Sequence, residues 1–294
     1  MRRNGDKARD FAARHGVPKW YDDAEALMAD PEVDAVYVAT PPDAHAFYAM
    51  AAARAGKPVY VEKPMGRNHG ECLEMIAACR AAGVPLFTAY YRRRLPRFLK
   101  VKEILATGGI GDLRTVSVTL THVPRAAGLP GDPPPWRVVP EIAGGGLFLD
   151  LASHTLDLLD WLLGPITGVR GMAANLSGAH AVEDAVAAAF AFRSGAVGAG
   201  SWNFAAASRE DRVEIVGSRG KLSFATFDDA PVRWTTPEDE KEFRIPHPPH
   251  IQQPLIQSIV DELRGEGHCP STGETGARTN QVMDAILKDF RAGS

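Results

Sequence analysis

The sequence predicts an α/β protein in two parts: a parallel sheet flanked by helices, then an open, mainly antiparallel sheet. Three observations lead there. Residues 33–89 alternate apolar, β-branched runs with helical stretches, the pattern of βα units, which need right-handed crossovers and a sheet buried on both faces. Residues 165–246 instead carry one short strand after another with tight turns between them, which argues for antiparallel pairing. The length of 294 residues suits two domains, at roughly 100–200 residues each.

Asp6 is placed to cap a helix over 6–15 that stops at Gly16. Trp20 and Tyr21 lead into a short helix, 22–29. Strand 33–39 ends in Thr40-Pro41-Pro42, helix 43–55 comes next, and strand 58–61 runs into Glu62-Lys63-Pro64. Helix 69–82 and strand 85–89 complete the parallel half. The boundary falls near Tyr90–Pro96, which divides the chain into 1–95 and 96–294. Helix 96–107 ends at Gly108-Gly109, and the alternation over 113–120 opens the second sheet. The stretch 123–143 is rich in Pro and Gly and predicts a long irregular loop, a kind that inside a domain is usually functional or disordered. Gly144-Gly145-Gly146 releases the backbone before helix 147–163. Strands are expected at 166–175, 183–193, 196–204, 211–217, 220–225 and 231–235, with Gly217–Gly220 as a hairpin turn. Helices 251–264 and 274–290 close the chain.

Composition narrows the function. A hydrophobic content of 45% and a charged content of 23% are those of a globular protein. The net charge of −3 gives no support for nucleic-acid binding. The basic cluster Arg92-Arg93-Arg94, with Arg97, Lys100 and Lys102, lacks the stacking platform or basic face such binding uses. No apolar run approaches the roughly 20 residues that span a bilayer, and MRRNGDKARD has no apolar segment of a secretory signal. Cys72, Cys79 and Cys269 form no C-x-x-C pair and read as small core residues of a reduced, cytoplasmic protein. His247-Pro-Pro-His250 has no Cys or carboxylate beside it and reads as a surface connector, with no metal site expected.

Two groups of residues carry chemistry. Asp150 and His154, four apart, are expected to share one face of helix 147–163, whose Leu147, Leu151 and Leu158 point inward. Histidine exchanges a proton near neutral pH and a carboxylate can orient it. Taken by itself, the pair also fits a core helix with incidental polar residues. Thr40, His45, Glu62 and Lys63 lie at the carboxyl ends of predicted parallel strands, where open α/β sheets bind ligands. A lysine there can donate a proton or orient a substrate oxygen; the competing assignment is a solvated turn lysine.

ATPPDAH (39–45), VEKP (61–64), WRVVPEIAGGGLFLDLASHTLD (136–157) and EIVGSRGKLSF (214–224) together resemble the Gfo/Idh/MocA oxidoreductases, in order and spacing, across nearly the whole chain. The specific part is EKP followed about ninety residues later by GGG-x3-D-x3-H. The resemblance implies an N-terminal Rossmann domain, a C-terminal domain on an open antiparallel sheet, and NAD(P)-dependent hydride transfer at a carbon of a sugar, polyol or similar small polyhydroxylated substrate. It implies that Lys63, Asp150 and His154 are catalytic: Lys63 and His154 handle the hydroxyl proton, and Asp150 orients the histidine. It puts Trp136 and Arg137 near the nicotinamide, where a loop anchor is the alternative. Arg92 follows a strand end, which places it near cofactor or substrate; the competing assignment for its basic cluster is a solvated helix start. Thr40, Pro41, His45, Glu62 and Lys63 complete the expected cofactor contacts.

The chain departs from that pattern at its start. No G-x-G-x-x-G occurs in it, and Met1–Ala8 resembles the segment after the second strand of such a domain. The sequence therefore predicts an N-terminally truncated Rossmann domain, short of one βα unit of about 30 residues, whose helix N-terminus normally binds the pyrophosphate. Arg2 and Arg3 would end the second strand, where arginine accommodates a 2′-phosphate, so NADP is favoured over NAD. A short form that binds a sugar or a partner without catalysis is the alternative. An Asp/His metal hydrolase is less well supported, since a third close ligand is not evident. The substrate pocket is expected to be lined by 121–143, 147–163 and His122, His180, Glu183 and Asp184. Strands 186–192 and 196–202 carry small or apolar residues at both alternating positions, which a sheet with one wet face would not. A second subunit is expected to cover that face, giving a homodimer or homotetramer.

Overall fold

The computed structural model describes residues 1–2, 4–124 and 133–293. Arg3 and the middle of the 123–143 stretch lie outside the described residues. Helix α1 (Gly5–His15) is capped by Asn4, whose side chain accepts from the Lys7 N–H. Asn4 has the extended backbone a cap needs, so Asp6 falls inside the first turn and is not the cap. There its charge still favours the helix N-terminus. Gly16 closes the helix at φ 63°. Helix α2 (Ala24–Ala29) is capped by Asp23.

Strands β1 (Val36–Val38), β2 (Val59–Val61) and β3 (Leu86–Thr88) form a parallel sheet in that order, in register Val36–Val59–Leu86. Helix α3 (His45–Arg54) begins after a 3-10 turn over Pro42–Ala44, and α4 (His69–Ala82) runs from its Asn68 cap to Gly83 at φ 66°. Every residue of β2 and β3 is buried, as two covered faces require. Val38, Val61, Ala49, Ala52, Cys72 and Met75 form the centre of this core.

A 3-10 turn, Tyr91–Arg94, leads to α5 (Pro96–Ala106) and to β4 (Leu113–Thr121). The described part of the predicted irregular loop contains a 3-10 turn at Trp136–Val138 and the one-turn helix α6 (Pro140–Ala143). Pro135 and Pro140 stand at the starts of these turns, where a missing N–H leaves no bond unmade. The predicted helix 147–163 is not one regular helix. Phe148–Ala152 forms a π-helical turn, and α7 (Ser153–Leu163) continues from it without a break.

The second sheet adds β5 (Ile166–Ala174), β6 (Ala185–Phe192), β7 (Val197–Asn203), β8 (Glu210–Gly217), β9 (Lys221–Phe224), β10 (Val232–Thr235) and β11 (Glu240–Phe243). Its order is β11-β10-β9-β8-β4-β7-β6-β5, antiparallel except where β4 meets β7. Strand β11 has no apolar alternation to announce it, since Glu240-Lys241-Glu242 is charged throughout. Such composition is how an edge strand resists pairing with other chains. Along β6 and β7 burial alternates. Val186, Phe190 and Trp202 face the core with α7 and the last helix, while Ala187, Ala189, Val197, Ala199 and Ser201 are exposed.

Helices α8 (Gln253–Leu263) and α9 (Gly273–Ala292) end the chain. α9 packs on β5 and α7 of the second sheet but also on α4 and β3 of the first. Leu255, Ile259 and Cys269 cluster with Tyr60 and Phe87. Among the described residues no helix is long and apolar enough to cross a membrane.

Candidate active site

Each parallel strand ends in a polar loop at one edge of the sheet: β1 at Thr40, β2 at Glu62-Lys63, β3 at Tyr90-Tyr91-Arg92. His45 laces the first two loops together. Its Nε2 lies 2.8 Å from the Thr40 carbonyl oxygen, and its Nδ1 lies 3.1 and 3.2 Å from those of Pro64 and Met65. Burial holds its basicity below the ordinary histidine value. The expectation that His45 faces a ligand is therefore corrected, because its ring is enclosed by backbone and fully buried. Glu62 holds the same region. Its carboxylate accepts from the Tyr37 hydroxyl, from Gln252 Nε2 at 3.0 Å and from the Lys63 N–H at 3.0 Å. The Tyr60 hydroxyl donates to Gln252 Oε1 at 3.1 Å, and the Tyr37 and Tyr60 rings stack at 4.6 Å.

Lys63 leaves this edge and meets the second part of the chain. Its Nζ lies 2.6 Å from Asp150 Oδ1 and 3.0 Å from the Asp150 carbonyl oxygen. Both side chains are less than one-fifth exposed, at 15% and 18%. Arg137 Nε donates to the other carboxylate oxygen at 3.1 Å, and its guanidinium rests over the Trp136 ring at 4.3 Å. Asp150 thus bridges two cations that stand far apart in the chain.

His154 has a different partner. Arg92 Nη1 lies 3.0 Å from its Nδ1, and both side chains are buried. Among the described residues no hydrogen bond joins Asp150 to His154. The expectation that Asp150 orients the histidine is corrected, because the two engage different cations: Asp150 holds Lys63 and Arg137, and His154 meets Arg92. Burial first, and then the Arg92 and Lys63 charges, hold the His154 basicity well below the ordinary value.

The glycine turn sets where Asp150 stands. Gly144 adopts φ 81°, and a Cβ there would fall 2.5 Å from the Arg67 carbonyl oxygen. A Cβ on Gly146 would fall 2.4 Å from the Glu183 carbonyl oxygen. Backbone from two other segments occupies the space of the missing side chains. Glu183 Oε1 accepts the Gly146 N–H at 2.8 Å, and burial pushes its carboxyl up to about 7. Helix α9 completes the frame. Arg291 donates to the Gly144 carbonyl oxygen at 2.9 Å and to Asp284 at 2.7 Å, while Asp284 accepts the His69 N–H at 2.7 Å. Asn280 donates to the Gly66 carbonyl oxygen at 2.7 Å.

The remaining expected residues lie elsewhere. Arg2 is exposed, with its guanidinium 5.0 Å from the Phe11 ring. It lines a shallow groove along β1 that also reaches Tyr37, Val38 and Thr40. Pro41, the residue after Thr40, is exposed. The Thr40 hydroxyl oxygen is buried and has no hydrogen-bond partner. A buried hydroxyl of this kind, at a strand end beside Lys63, fits a polar group supplied by a ligand. His122 pairs with Arg209 and His180 with the Val182 carbonyl oxygen. Asp184 accepts the Leu176 and Ser177 N–H groups. Glu183 and Asp184 are buried and brace backbone, which corrects the expectation that they line a pocket. Thr226 and Phe227, which contact Arg92, and Asn280, Asp284 and Arg291, which hold Gly66, His69 and Gly144, carry no local sequence signal because they stand far along the chain from those partners.

The chain is similar to known proteins in sequence and in fold. A family model described as an oxidoreductase family with an NAD-binding Rossmann fold matches residues 1–90, and one described as the GFO/IDH/MocA C-terminal domain matches residues 98–223. Oxidoreductase P35 of Formosa agariphila is 35% identical over 97% of this chain and 88% of its own length. The 1,5-anhydro-D-fructose reductase of Ensifer adhaerens is 30% identical over 100% of this chain and 88% of its own. Among solved structures, levoglucosan dehydrogenase in complex with NADH and levoglucosan shares the fold, with a TM-score of 0.87 over 100% of this chain and 87% of its own, at 24% identity.

Proposed function

The chain belongs to the Gfo/Idh/MocA oxidoreductase family, and on that premise we propose that it moves a hydride between a nicotinamide cofactor and a hydroxyl-bearing carbon of a small polyhydroxylated molecule. One observation carries this reading: Lys63, at the carboxyl end of a parallel strand, forms a close ion pair with Asp150 beside His154. A relative named for 1,5-anhydro-D-fructose supports a sugar-like, cyclic substrate. A nicotinamide dinucleotide, when bound, supplies the hydride donor or acceptor, and the protein supplies position and proton movement.

The chain's own groups divide that work. Thr40, with its unpartnered hydroxyl, Trp136 and Arg137 are the groups that would hold the nicotinamide end, and Glu62 and His45 fix the loops that present it. Lys63 holds a proton at Nζ, and Asp150 keeps that group aimed and charge-balanced. Arg137 on the far side of Asp150 stops the carboxylate from rotating away. Arg2 and Arg3 support NADP over NAD, since a guanidinium suits a 2′-phosphate. The three cysteines are buried thiols, which supports a reducing, cytoplasmic setting. The exposed face of β6 and β7, with Ala187, Ala189, Val197 and Ala199, supports a homodimer or homotetramer built on that sheet.

The test is a panel of sugars and polyols followed by the absorbance of the reduced nicotinamide. On a substrate found this way, Lys63→Ala is expected to lower turnover by about 10²–10⁴-fold, the usual worth of general acid–base catalysis, with cofactor affinity nearly kept. Near-normal turnover of that variant would remove Lys63 from the chemistry.

A further inference from the structure

We propose that Arg92 locks His154 in the tautomer that carries its proton on Nε2, so that His154 donates a hydrogen bond to the substrate oxygen and Lys63 alone moves the proton. The second half of this statement rests on the function proposed above; the first half stands on geometry.

Arg92 Nη1 and His154 Nδ1 are 3.0 Å apart. A guanidinium has only N–H donors and keeps its charge, so Nδ1 must be the acceptor. A neutral imidazole whose Nδ1 accepts carries its hydrogen on Nε2. Arg92 has no freedom to turn away. Its Nε donates to the Thr226 carbonyl oxygen at 2.9 Å, and its guanidinium sits 4.9 and 4.5 Å from the Tyr91 and Phe227 ring centroids. Asp211 in turn accepts the N–H groups of Thr226 and Phe227 at 2.9 and 2.6 Å. The rings of Tyr90, Tyr91 and Phe227 meet His154 edge-on at 6.1, 5.4 and 5.7 Å, which opposes rotation of the imidazole.

The charged groups facing His154 are Arg92 from the turn after β3 and Lys63 from the loop after β2, both cations. Asp157, one turn along α7, is engaged by Arg93 through two hydrogen bonds of 2.9 and 2.6 Å. Among the described residues no carboxylate touches the ring. An imidazolium would turn an N–H toward the Arg92 N–H and place a third cation in a buried site. His154 therefore remains neutral with Nε2–H outward.

On reduction the Lys63 ammonium, held by Asp150, gives its Nζ proton to the carbonyl oxygen as the carbon gains a hydride, which a reduced nicotinamide would supply with its electron pair. Nε2–H of His154 donates to the same oxygen and keeps its own hydrogen. Oxidation is the reverse, with the amine left by that proton taking it back from the hydroxyl.

The test is long-range 1H–15N NMR of the full chain labelled at histidine nitrogen, with His154→Gln identifying the resonances. Nδ1 is expected at an unprotonated and Nε2 at a protonated shift, both constant between about pH 5 and 8 where ordinary histidines titrate. In Arg92→Met the ring should titrate or show both tautomers, and Arg92→Lys, which also only donates, should restore the single form. A protonated Nδ1 in the wild-type spectrum overturns the lock, whether or not the Arg92 variants fold. For the donor role, His154→Gln can give a hydrogen bond but take no proton, so it should lose less than the roughly 10²–10³-fold that deleting a donor costs. A loss as deep as that of Lys63→Ala overturns it. The NMR result needs neither substrate nor cofactor, so failure of the lock and failure of the proposed function give separate signatures.

Discussion

Replacing Glu183 with Gln should flatten part of the pH dependence of stability. Glu183 is 2% exposed and accepts the Gly146 N–H at the turn that opens the Asp150 helix. Burial is the main force on its carboxyl. The Gly146 N–H and Arg291 oppose it, Asp184 adds to it, and the result is a rise from 4.5 to about 7. In the window between those values the folded protein keeps a proton that the unfolded chain has lost. Unfolding then releases a proton, so stability falls as pH rises. The contribution is fully present below about pH 4.5 and fully lost above about pH 7. At about 1.4 kcal/mol per pH unit the loss is on the order of 3 kcal/mol, and no discount for solvent screening applies to so buried a group. Gln keeps the size and the acceptor oxygen for Gly146 but cannot ionise. Urea unfolding of both proteins at a series of pH values gives the test. The unfolding free energy of Glu183→Gln minus that of the wild type should climb by about 3 kcal/mol from about pH 4.5 to 7.5. Asp157, pushed up to about 6 by burial, acts with the same sign in both proteins and cancels in the difference. A flat difference, or one that falls with pH, would refute the reasoning.

Other consequences can be measured directly. Asp157→Asn removes the carboxylate 2.6 Å from the buried Arg93 guanidinium and leaves it the Pro270 carbonyl oxygen at 2.7 Å and Asp160 at 3.8 Å, and should cost about 3–5 kcal/mol, the range for breaking a buried pair; a loss within experimental error would show that those two partners suffice to hold Arg93. Removing both guanidinium groups in Arg2→Ala/Arg3→Ala should raise the KM for NADP far more than that for NAD, and an unchanged ratio would end the preference proposed for NADP. Light scattering after size exclusion should give a mass of two or four times 31.7 kDa, reduced by Val197→Asp on the exposed face of β7, whereas a clean monomer at micromolar concentration would show that the apolar face stands open.

The parts of the fold that can be read from sequence are those bracketed by local chemistry. Helix 69–82 is matched at both ends, because Asn68 and Gly83 stop it by their own backbone preferences. The parallel strands are shorter than their sequence suggests, since the apolar runs continue past the few residues that pair. Lys63 and Asp150 are legible because their residue types stand at places the topology makes special. Their mutual contact is not, because 87 residues separate them. The i,i+4 spacing of Asp150 and His154 is visible in the sequence, but their separate partners are not, and nothing in FLDLA announces a π turn. The true partner of His154, Arg92, stands 62 residues away on a strand end; the strand end is visible in the sequence and the pairing is not.

The last helix shows why a site extends beyond the residues with chemistry. Lys63 and Asp150 belong to segments that share no local contact along the chain, so their 2.6 Å approach depends on what fixes each loop. Asp284 and Arg291 lie seven residues apart on α9 and are joined by a 2.7 Å ion pair. One holds the N–H of His69, beyond the EKP loop, and the other the carbonyl oxygen of Gly144, at the head of the glycine turn. Asn280, one turn before Asp284, holds Gly66. A rigid helix thereby sets the distance between two loops that would otherwise move independently. Among the described residues no hydrogen bond or ion pair joins the helix to Lys63, Asp150 or His154. Its polar face nevertheless determines whether lysine and carboxylate meet, because side-chain ion pairs of this length tolerate little displacement of the backbones that bear them.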